Sequence, residues 1–371
     1  MDFNNKPAEY PSFIHQKIFT SARRLNALLP LINAVEDSAM RESCTALYEF
    51  AIDMFSDMYD NPEVYHLPAG KLEEFIGDRT MLEARRAEPD KYKKIEAEVR
   101  HATGGYIRLL MDIGLKGEID GACIAVSMKN MPNIGIGVKK GSVDTLVAAL
   151  SRVGLTVQSD YSTGLHRFSF TKHENILPAL CEYSSWLDCI GDLRAIRKKP
   201  THDDHYCALI DEQRDLVYEL HNYATQRKIK ITTNANWGVN YHYKSEHLMT
   251  FKTGDDIGCF LSVNVSGGFA PVLEAYLEKE LPDFRKKVVA HISGCDTNQC
   301  VHCSTYGSGR YVTVLGKTHQ ACGGSDDFVS FIWREPAAED AAMIRRLIDI
   351  RCEIIEAKKS DNEPMVLKRQ K

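Results

Sequence analysis

The chain has 371 residues, 44% of them hydrophobic and 26% charged, which is the composition of a globular protein with roughly two or three domains. A net charge of -5 offers no broad positive surface for a phosphate backbone, so the composition argues against nucleic acid as the partner. No stretch approaches the roughly 18 consecutive apolar residues of a spanning helix, and the first residues lack a secretory signal pattern. We therefore expect a cytoplasmic protein without a membrane segment.

Residues 1–117 have a helical pattern. Apolar residues recur at intervals of three and four, as in Leu25, Leu28, Leu29 and Ile32. Strand signals are scarce before Gly117, and a helix is predicted to run across Gly104 and Gly105. This region is predicted to be a helical N-terminal part of the fold.

Residues 118–199 change period and predict a small α+β unit of the order ββαββα. The predicted strands are Ala122–Ser127, Ile134–Val138, Leu155–Gln158 and His166–Thr171. A helix opens at Gly141 and Ser142 and stops at Gly154, and another passes through Leu180. The polar run Arg197–Pro200 then has the composition of a domain boundary.

Residues 200–357 predict a second α+β domain. Thr201 or Asp203 is expected to cap its first helix, which explains the sequence His202-Asp203-Asp204-His205 better than a metal site does. Strands are predicted near Gly238–Tyr243, Leu248–Phe251, Gly258–Val265, Arg310–Val314 and Phe328–Trp333. The polar residues 358–371 predict a disordered tail. The predicted fold class is therefore α+β, with a helical N-terminal region and two α+β units that contain antiparallel sheets.

Four cysteines form the sharpest chemical signal. Cys295, Cys300, Cys303 and Cys322 lie in a glycine-rich, polar loop, residues 294–324, where the usual explanation of cysteine burial does not apply. Two cysteines three residues apart can place both thiolates on one tetrahedral ion, and a distant cysteine from a second loop completes the set. The spacing predicts a closed, structural zinc site.

Two other interpretations of the cysteines stay open. The run C-x4-C-x2-C also matches a plant-type ferredoxin, which would make the protein an iron–sulfur redox protein. The cysteines could also be ordinary loop residues that bind no metal. His302 and His319 are spare ligands if one cysteine faces away.

The strand from Trp237 to Tyr243 predicts a ligand pocket. Alternation places Trp237, Tyr241 and Tyr243 on one face, and Arg310 beside the metal loop could approach the same place. Packing in the core is the alternative interpretation of such an aromatic stripe. A further hypothesis is an enzyme whose site lies around Tyr241, His242 and His247, although the sequence contains none of the common nucleophile or phosphate-loop motifs.

One resemblance joins these segments. The Trp-Gly-Val-x-Tyr strand and the strands up to Val265, the late strand Phe328–Trp333 and the helix Asp340–Ile350 resemble small α+β domains of the YjbR and YdhG kind. The resemblance spans about 229–357 and implies the binding of a small ligand or of a partner. Together these observations predict a cytoplasmic, zinc-stabilised protein that binds a small molecule or another protein.

Overall fold

The computed structural model describes residues 1–361, except for 8, 68, 80–83, 85–86, 132–134, 137–138, 141–142, 254–260, 293–309 and 322–327. The chain forms two compact units. The first contains Met1–Ile210, Ala235–Trp237 and Asp256–Gly258, and the second contains Asp211–Asn234, Gly238–Asp255 and Cys259–Lys371. The first unit thus combines the predicted helical region with the predicted ββαββα region.

Helices dominate the start of the first unit, as the apolar periodicity predicts. They are α1 (Phe13–Arg24), α2 (Leu29–Asn33), α3 (Ser38–Asp60), α4 (Ala69–Ile76) and α5 (Pro89–Lys116). Asp37 starts α3, because its carboxylate accepts a hydrogen bond from Met40 N at 2.7 Å. The buried side of α3 carries Leu47, Phe50 and Met54, which recur at helical spacing. The helical N-terminal region is confirmed.

A four-stranded antiparallel sheet completes the first unit. Its order is β1 (Gly117–Asp120), β2 (Cys123–Ser127), β6 (Leu165–Phe170) and β5 (Leu155–Asp160). Further α-helices among the described residues of this unit are α6 (Val143–Leu150), α7 (Leu177–Tyr183) and α8 (His202–Tyr206). Of the two predicted caps, Thr201 and Asp203, it is Thr201 that caps α8, in a reciprocal capping box with Asp204.

One strand of this sheet differs from the prediction. The edge position next to β2 belongs to β1, which starts directly where α5 ends, and Gly121 makes the turn between them with φ +64°. The predicted strand Ile134–Val138 is only partly described. There, Gly135–Ile136 (β3) pairs with Lys139–Lys140 (β4) in a separate two-stranded ladder.

A five-stranded antiparallel sheet forms the centre of the second unit. Its order is β13 (Phe328–Arg334), β10 (Leu261–Phe269), β9 (Glu246–Thr253), β8 (Gly238–Tyr243) and β7 (Lys230–Asn234). The unit's helices are α9 (Asp211–Gln226), α10 (Ala270–Leu277), α11 (Pro282–Ala290) and α12 (Ala341–Asp361). Helix α12 continues past the predicted start of the tail at residue 358. Mixed α+β architecture with antiparallel sheets is therefore confirmed.

The two faces of this sheet differ in polarity. Val239, Phe251, Val263 and Trp333 are buried, and they occupy paired positions on neighbouring strands. The alternate positions carry polar side chains, as on β10, where serine and asparagine alternate with valine. Among the described residues, no helix is long and apolar enough to cross a membrane.

Candidate functional site

All four predicted zinc ligands lie outside the described residues. The structure therefore says nothing about Cys295, Cys300, Cys303 or Cys322, or about His302. Within the described ranges, no group of three or more histidine, cysteine or acidic residues has a geometry that could hold a metal ion. The zinc site remains a prediction.

The described residues next to the cysteine loop form a hairpin. Strand β11 (Arg310–Val314) pairs with β12 (Lys317–Ala321), and Arg310 lies opposite Ala321. The chain from Cys303 enters the hairpin near Arg310, and the chain to Cys322 leaves it at Ala321. Both segments of the predicted loop thus begin at the same end of the hairpin.

Two of the predicted pocket residues, Trp237 and Tyr241, are buried. Trp237 belongs to the first unit, where it is 1% exposed and donates a hydrogen bond from Nε1 to Cys189 O at 2.9 Å. Tyr241 belongs to the second unit and is also 1% exposed, and its ring packs against Phe251. These are the contacts of core residues.

Of the other two predicted pocket residues, the structure describes the side chain of Tyr243 only. Tyr243 donates a hydrogen bond to the Glu356 carboxylate at 2.5 Å. Arg310 begins β11, and the structure does not describe its side chain. Trp237 itself precedes strand β8 and has φ +56°, so the regular alternation begins only at Gly238.

A polar groove of about 470 Å³ lies on the polar face of the second unit's sheet. Its floor comes from neighbouring positions on three paired strands, because Asn264 lies opposite both Thr250 and Ile332. The polar floor residues are Thr250, Lys252, Ser262, Asn264, Ser266 and Ser330. Glu246, His247 and Arg351 add charged or titratable groups to the wall. The arrangement offers hydroxyl, amide and cationic groups to a small polar molecule.

A β-bulge places a histidine in this groove. Pairing passes from Tyr241–Met249 to His242–His247, so Leu248 is an extra residue on β9. The extra residue turns His247 to the side of Thr250, and His247 Nε2 lies 2.7 Å from Thr250 Oγ1. Thr250 donates its single hydroxyl proton to Asn240 Oδ1 at 2.7 Å, so His247 Nε2 must be the donor to Thr250.

The hydrogen bond fixes the tautomer of neutral His247 as the one protonated at Nε2. Partial desolvation lowers the pKa of His247, and the neighbouring His242 and Arg351 lower it further. The His242 and His247 rings meet edge to face, with centroids 5.6 Å apart. His247 is therefore a neutral hydrogen-bonding group at neutral pH.

Arg351 is a charged side chain that is only 1% exposed. Its Nη2 lies 3.3 Å from Glu246 Oε2, and its Nη1 lies where a side chain at Gly268 would begin. A Cβ at Gly268 would be 2.6 Å from that nitrogen. The absence of a side chain at Gly268 therefore provides the space that the guanidinium occupies.

The described contacts of His242 and His247 do not include a carboxylate. The partner of His247 is the Thr250 hydroxyl, which cannot raise the basicity of the imidazole as a charged partner would. The groove can bind and orient a ligand through hydrogen bonds and positive charge. It has the groups of a binding site more clearly than those of an acid–base catalyst.

Most groove residues were not singled out by the sequence analysis. The signal that could have found them is the alternation Leu-Ser-Val-Asn-Val-Ser from Leu261 to Ser266, which predicts a strand with one polar side. Arg351 carries no such signal, because a lone arginine in a helix normally faces solvent.

Comparisons with known proteins identify no relative. No protein-family model matches the chain, and no curated protein or solved structure is significantly similar to it.

Proposed function

We propose that the protein binds a small hydroxylated molecule that carries a phosphate or carboxylate group. The observation that carries the proposal is the groove in the second unit, where three strands present hydroxyl and amide groups beside Lys252 and Arg351. Ordinary sheet faces that contact solvent do not form a concave surface of this volume with an almost fully buried arginine in its wall.

The charge balance of the groove selects the ligand class. Lys252 and Arg351 contribute two positive charges, whereas Glu246 contributes one negative charge, and neutral His247 contributes none. A phosphate or carboxylate would restore neutrality and accept hydrogen bonds from both cations. The serine and asparagine side chains would bind the hydroxyl groups of the same molecule.

Binding can be tested with glycerol 3-phosphate and inorganic phosphate as probes. In the intact protein, we expect glycerol 3-phosphate to shift the ring resonances of His247 in NMR spectra, and to bind more tightly than inorganic phosphate. Replacement of Lys252 by methionine should weaken binding about tenfold, because it removes one of the two cations and keeps much of the side-chain volume.

Lys230→Met is the matched control, since Lys230 is exposed on strand β7 and does not line the groove. It should leave the affinity unchanged. Equal effects of the two lysine substitutions, or no shift at His247 with either probe, would show that the groove is not an anion site.

We also propose that Cys295, Cys300, Cys303 and Cys322 hold one structural zinc ion. Two observations support this proposal. The spacing of the cysteines suits one ion, and Arg310 pairs with Ala321, so both segments of the loop meet the hairpin at the same end. Four thiolates leave no open coordination position, so the ion would stabilise the loop and would not activate water.

Metal analysis of protein purified without oxygen tests the zinc proposal. We expect one zinc ion per chain, and a lower midpoint of thermal unfolding after chelation. Cys300→Ser should lose the metal, whereas Cys123→Ser, at a partly exposed free cysteine, should keep it. A brown protein that contains iron and sulfide would favour the iron–sulfur alternative, and a stable protein without metal would contradict both.

The proposed location is the cytoplasm. The described cysteines Cys44, Cys123, Cys181, Cys189, Cys207 and Cys352 are free thiols. Reduced cysteines are typical of cytoplasmic proteins, and so are thiolate zinc sites, which supports this location.

A further inference from the structure

The first unit contains a second concave surface, a cleft of about 1050 Å³. Its apolar floor includes Leu31, Val35, Met40, Leu177 and Trp186. The segment between α2 and α3 forms one side of the cleft, and the segment from Glu174 to Trp186 forms another. The cleft is larger than the pockets of roughly 300–1,000 Å³ that enclose most small ligands, and it is wide enough for several residues of a peptide.

Ser43 holds the two sides of the cleft together. Its hydroxyl donates to Asn175 O at 2.6 Å and accepts from Ala179 N at 2.9 Å. Ser43 is 1% exposed, so these hydrogen bonds join α3 to the start of α7 in a buried position. The cleft is therefore a formed part of the fold and does not require a ligand to create it.

The rim of the cleft is uniformly acidic. The carboxylates that line it are Glu36, Asp37, Glu42, Glu174 and Glu182. No lysine or arginine is among the lining residues, and none of these five carboxylates belongs to an ion pair in the described part of the chain. Carboxylates without a cation around an apolar floor complement a positively charged, partly apolar partner.

An aromatic pair lies at one end of the same cleft. The Tyr183 and Trp186 rings have centroids 4.3 Å apart, and both side chains are partly exposed. A hydrogen bond to Glu182 raises the pKa of Tyr183, so that hydroxyl remains a neutral donor. Indole and phenol faces beside a carboxylate form a favourable environment for a guanidinium or ammonium group.

We propose that this cleft is a docking site for a basic segment of a partner protein, in which lysine or arginine residues flank an apolar side chain. The apolar side chain would occupy the floor, and its cationic neighbours would meet the acidic rim and the Tyr183–Trp186 pair. A second copy of this chain fits less well, because each chain has a net charge of -5. The acidic rim repels nucleic acid for the same reason.

The proposal can be tested with the synthetic peptide acetyl-Lys-Leu-Arg-Leu-Lys-amide and the full-length protein. Trp186 is partly exposed, whereas Trp237 and Trp333 are each 1% exposed, so peptide binding should change mainly the fluorescence of Trp186. Titration calorimetry should give an affinity that falls about tenfold when salt rises from about 0.05 M to about 0.5 M. A peptide with glutamate in place of lysine and arginine should not bind.

Matched substitutions locate the binding surface. Glu36→Gln with Glu174→Gln should weaken peptide binding at least about tenfold, because both remove charge from the rim without removing volume. Glu73→Gln with Glu74→Gln removes two exposed carboxylates from α4, outside the cleft, and should leave the affinity unchanged. Thermal unfolding of both variants checks that the fold is intact.

Three results would overturn the proposal. They are the absence of peptide binding, equal weakening by the two pairs of substitutions, and full competition by spermidine at the same concentration as the peptide. The last result would show that the cleft recognises charge alone and that its apolar floor contributes nothing. Glycerol 3-phosphate binding in the second unit is measured separately, so failure of either proposal leaves the other standing.

Discussion

The two concave surfaces of this chain have opposite construction. The cleft in the first unit has an apolar floor and an acidic rim, whereas the groove in the second unit has a polar floor beside Lys252 and Arg351. A net charge of -5 for the whole chain conceals this difference. The two proposals together imply that one chain selects ligands of opposite charge, because each surface presents its own local field.

A glycine packs against α7, which lines the cleft, and another packs against Arg351 of the groove, but the two glycines contact different kinds of atoms. A Cβ at Gly114 on α5 would lie 1.8 Å from Leu180 O in α7, a backbone atom that cannot move alone. A Cβ at Gly268 would meet Arg351 Nη1, the far end of a flexible side chain. A substitution of Gly114 should therefore destabilise the protein more than a substitution of Gly268.

The largest expected effect is that of Gly114→Ala. The new methyl group would push α5 away from α7, which carries Leu177 and Glu182 of the cleft. We expect the free energy of unfolding to fall by more than about 3 kcal/mol, as measured by urea denaturation, with loss of binding of the basic peptide.

Gly104→Ala is the control on the same helix. Outside its own helix turn, no described atom lies within 4 Å of a Cβ at Gly104, so alanine should stabilise the protein by about 0.5–1 kcal/mol through its helix propensity. If Gly114→Ala and Gly104→Ala changed the free energy of unfolding equally, close packing against Leu180 could not explain the loss of stability.

Acid should act on the first unit through His205. This residue is fully buried beside Trp237, with ring centroids 5.9 Å apart, and neither ring nitrogen has a hydrogen-bond partner among the described residues. Burial lowers the pKa of His205 from 6.5 to about 4, although Asp204 opposes the shift. The unfolded chain therefore binds a proton at a higher pH than the folded protein.

Stability from this group is complete above pH 6.5 and is lost as the pH falls towards about 4. The loss should be on the order of 3 kcal/mol. His205→Phe should remove this part of the pH dependence of stability, which urea denaturation at several pH values can measure. His202→Gln, at a partly exposed neighbour, should keep the wild-type pH dependence. If the free energy of unfolding depended on pH in the same way in His205→Phe and the wild type, His205 would not be the source of the acid sensitivity.

Gly268→Ala should lower stability less than Gly114→Ala does and should have a specific effect on the groove. Alanine at φ +88° costs about 1–2 kcal/mol, and the methyl group must displace the Arg351 guanidinium. We expect weaker binding of glycerol 3-phosphate together with this loss of stability. Gly121→Ala has a similar cost at φ +64° with open space around it, so it should destabilise the protein without changing the affinity.

The sequence predicts a helix well where a regular spacing of apolar residues or a capping residue marks it. The recurrence of Leu47, Phe50 and Met54 predicts α3, and Thr201 followed by Asp204 predicts the start of α8. The edge strand β1 was missed because Gly117–Asp120 is short and mostly exposed, and it lacks an apolar alternation.

The two surfaces depend on contacts that a local pattern cannot reveal. Arg351 enters the groove wall only because distant Gly268 lacks a side chain. The cleft combines residues around Asp37 with residues around Glu182, which Ser43 joins through hydrogen bonds to a remote segment. Trp237 reads as the first residue of an aromatic strand, but its positive φ separates it from that strand and its contacts lie in the first unit.

The extra residue Leu248 has a consequence for tracing the ancestry of this chain. If β9 kept Leu248 but paired regularly with β8, His247 would lie on the opposite side of the sheet from Thr250, because the two residues are three positions apart. The histidine in the groove thus depends on the bulge as well as on its own codon. A homologue without the residue aligned with Leu248 could pair these strands regularly and keep the histidine on the groove side, whereas a homologue that keeps this residue but lacks the bulge could not, so sequence identity alone does not decide whether two such sequences share a site.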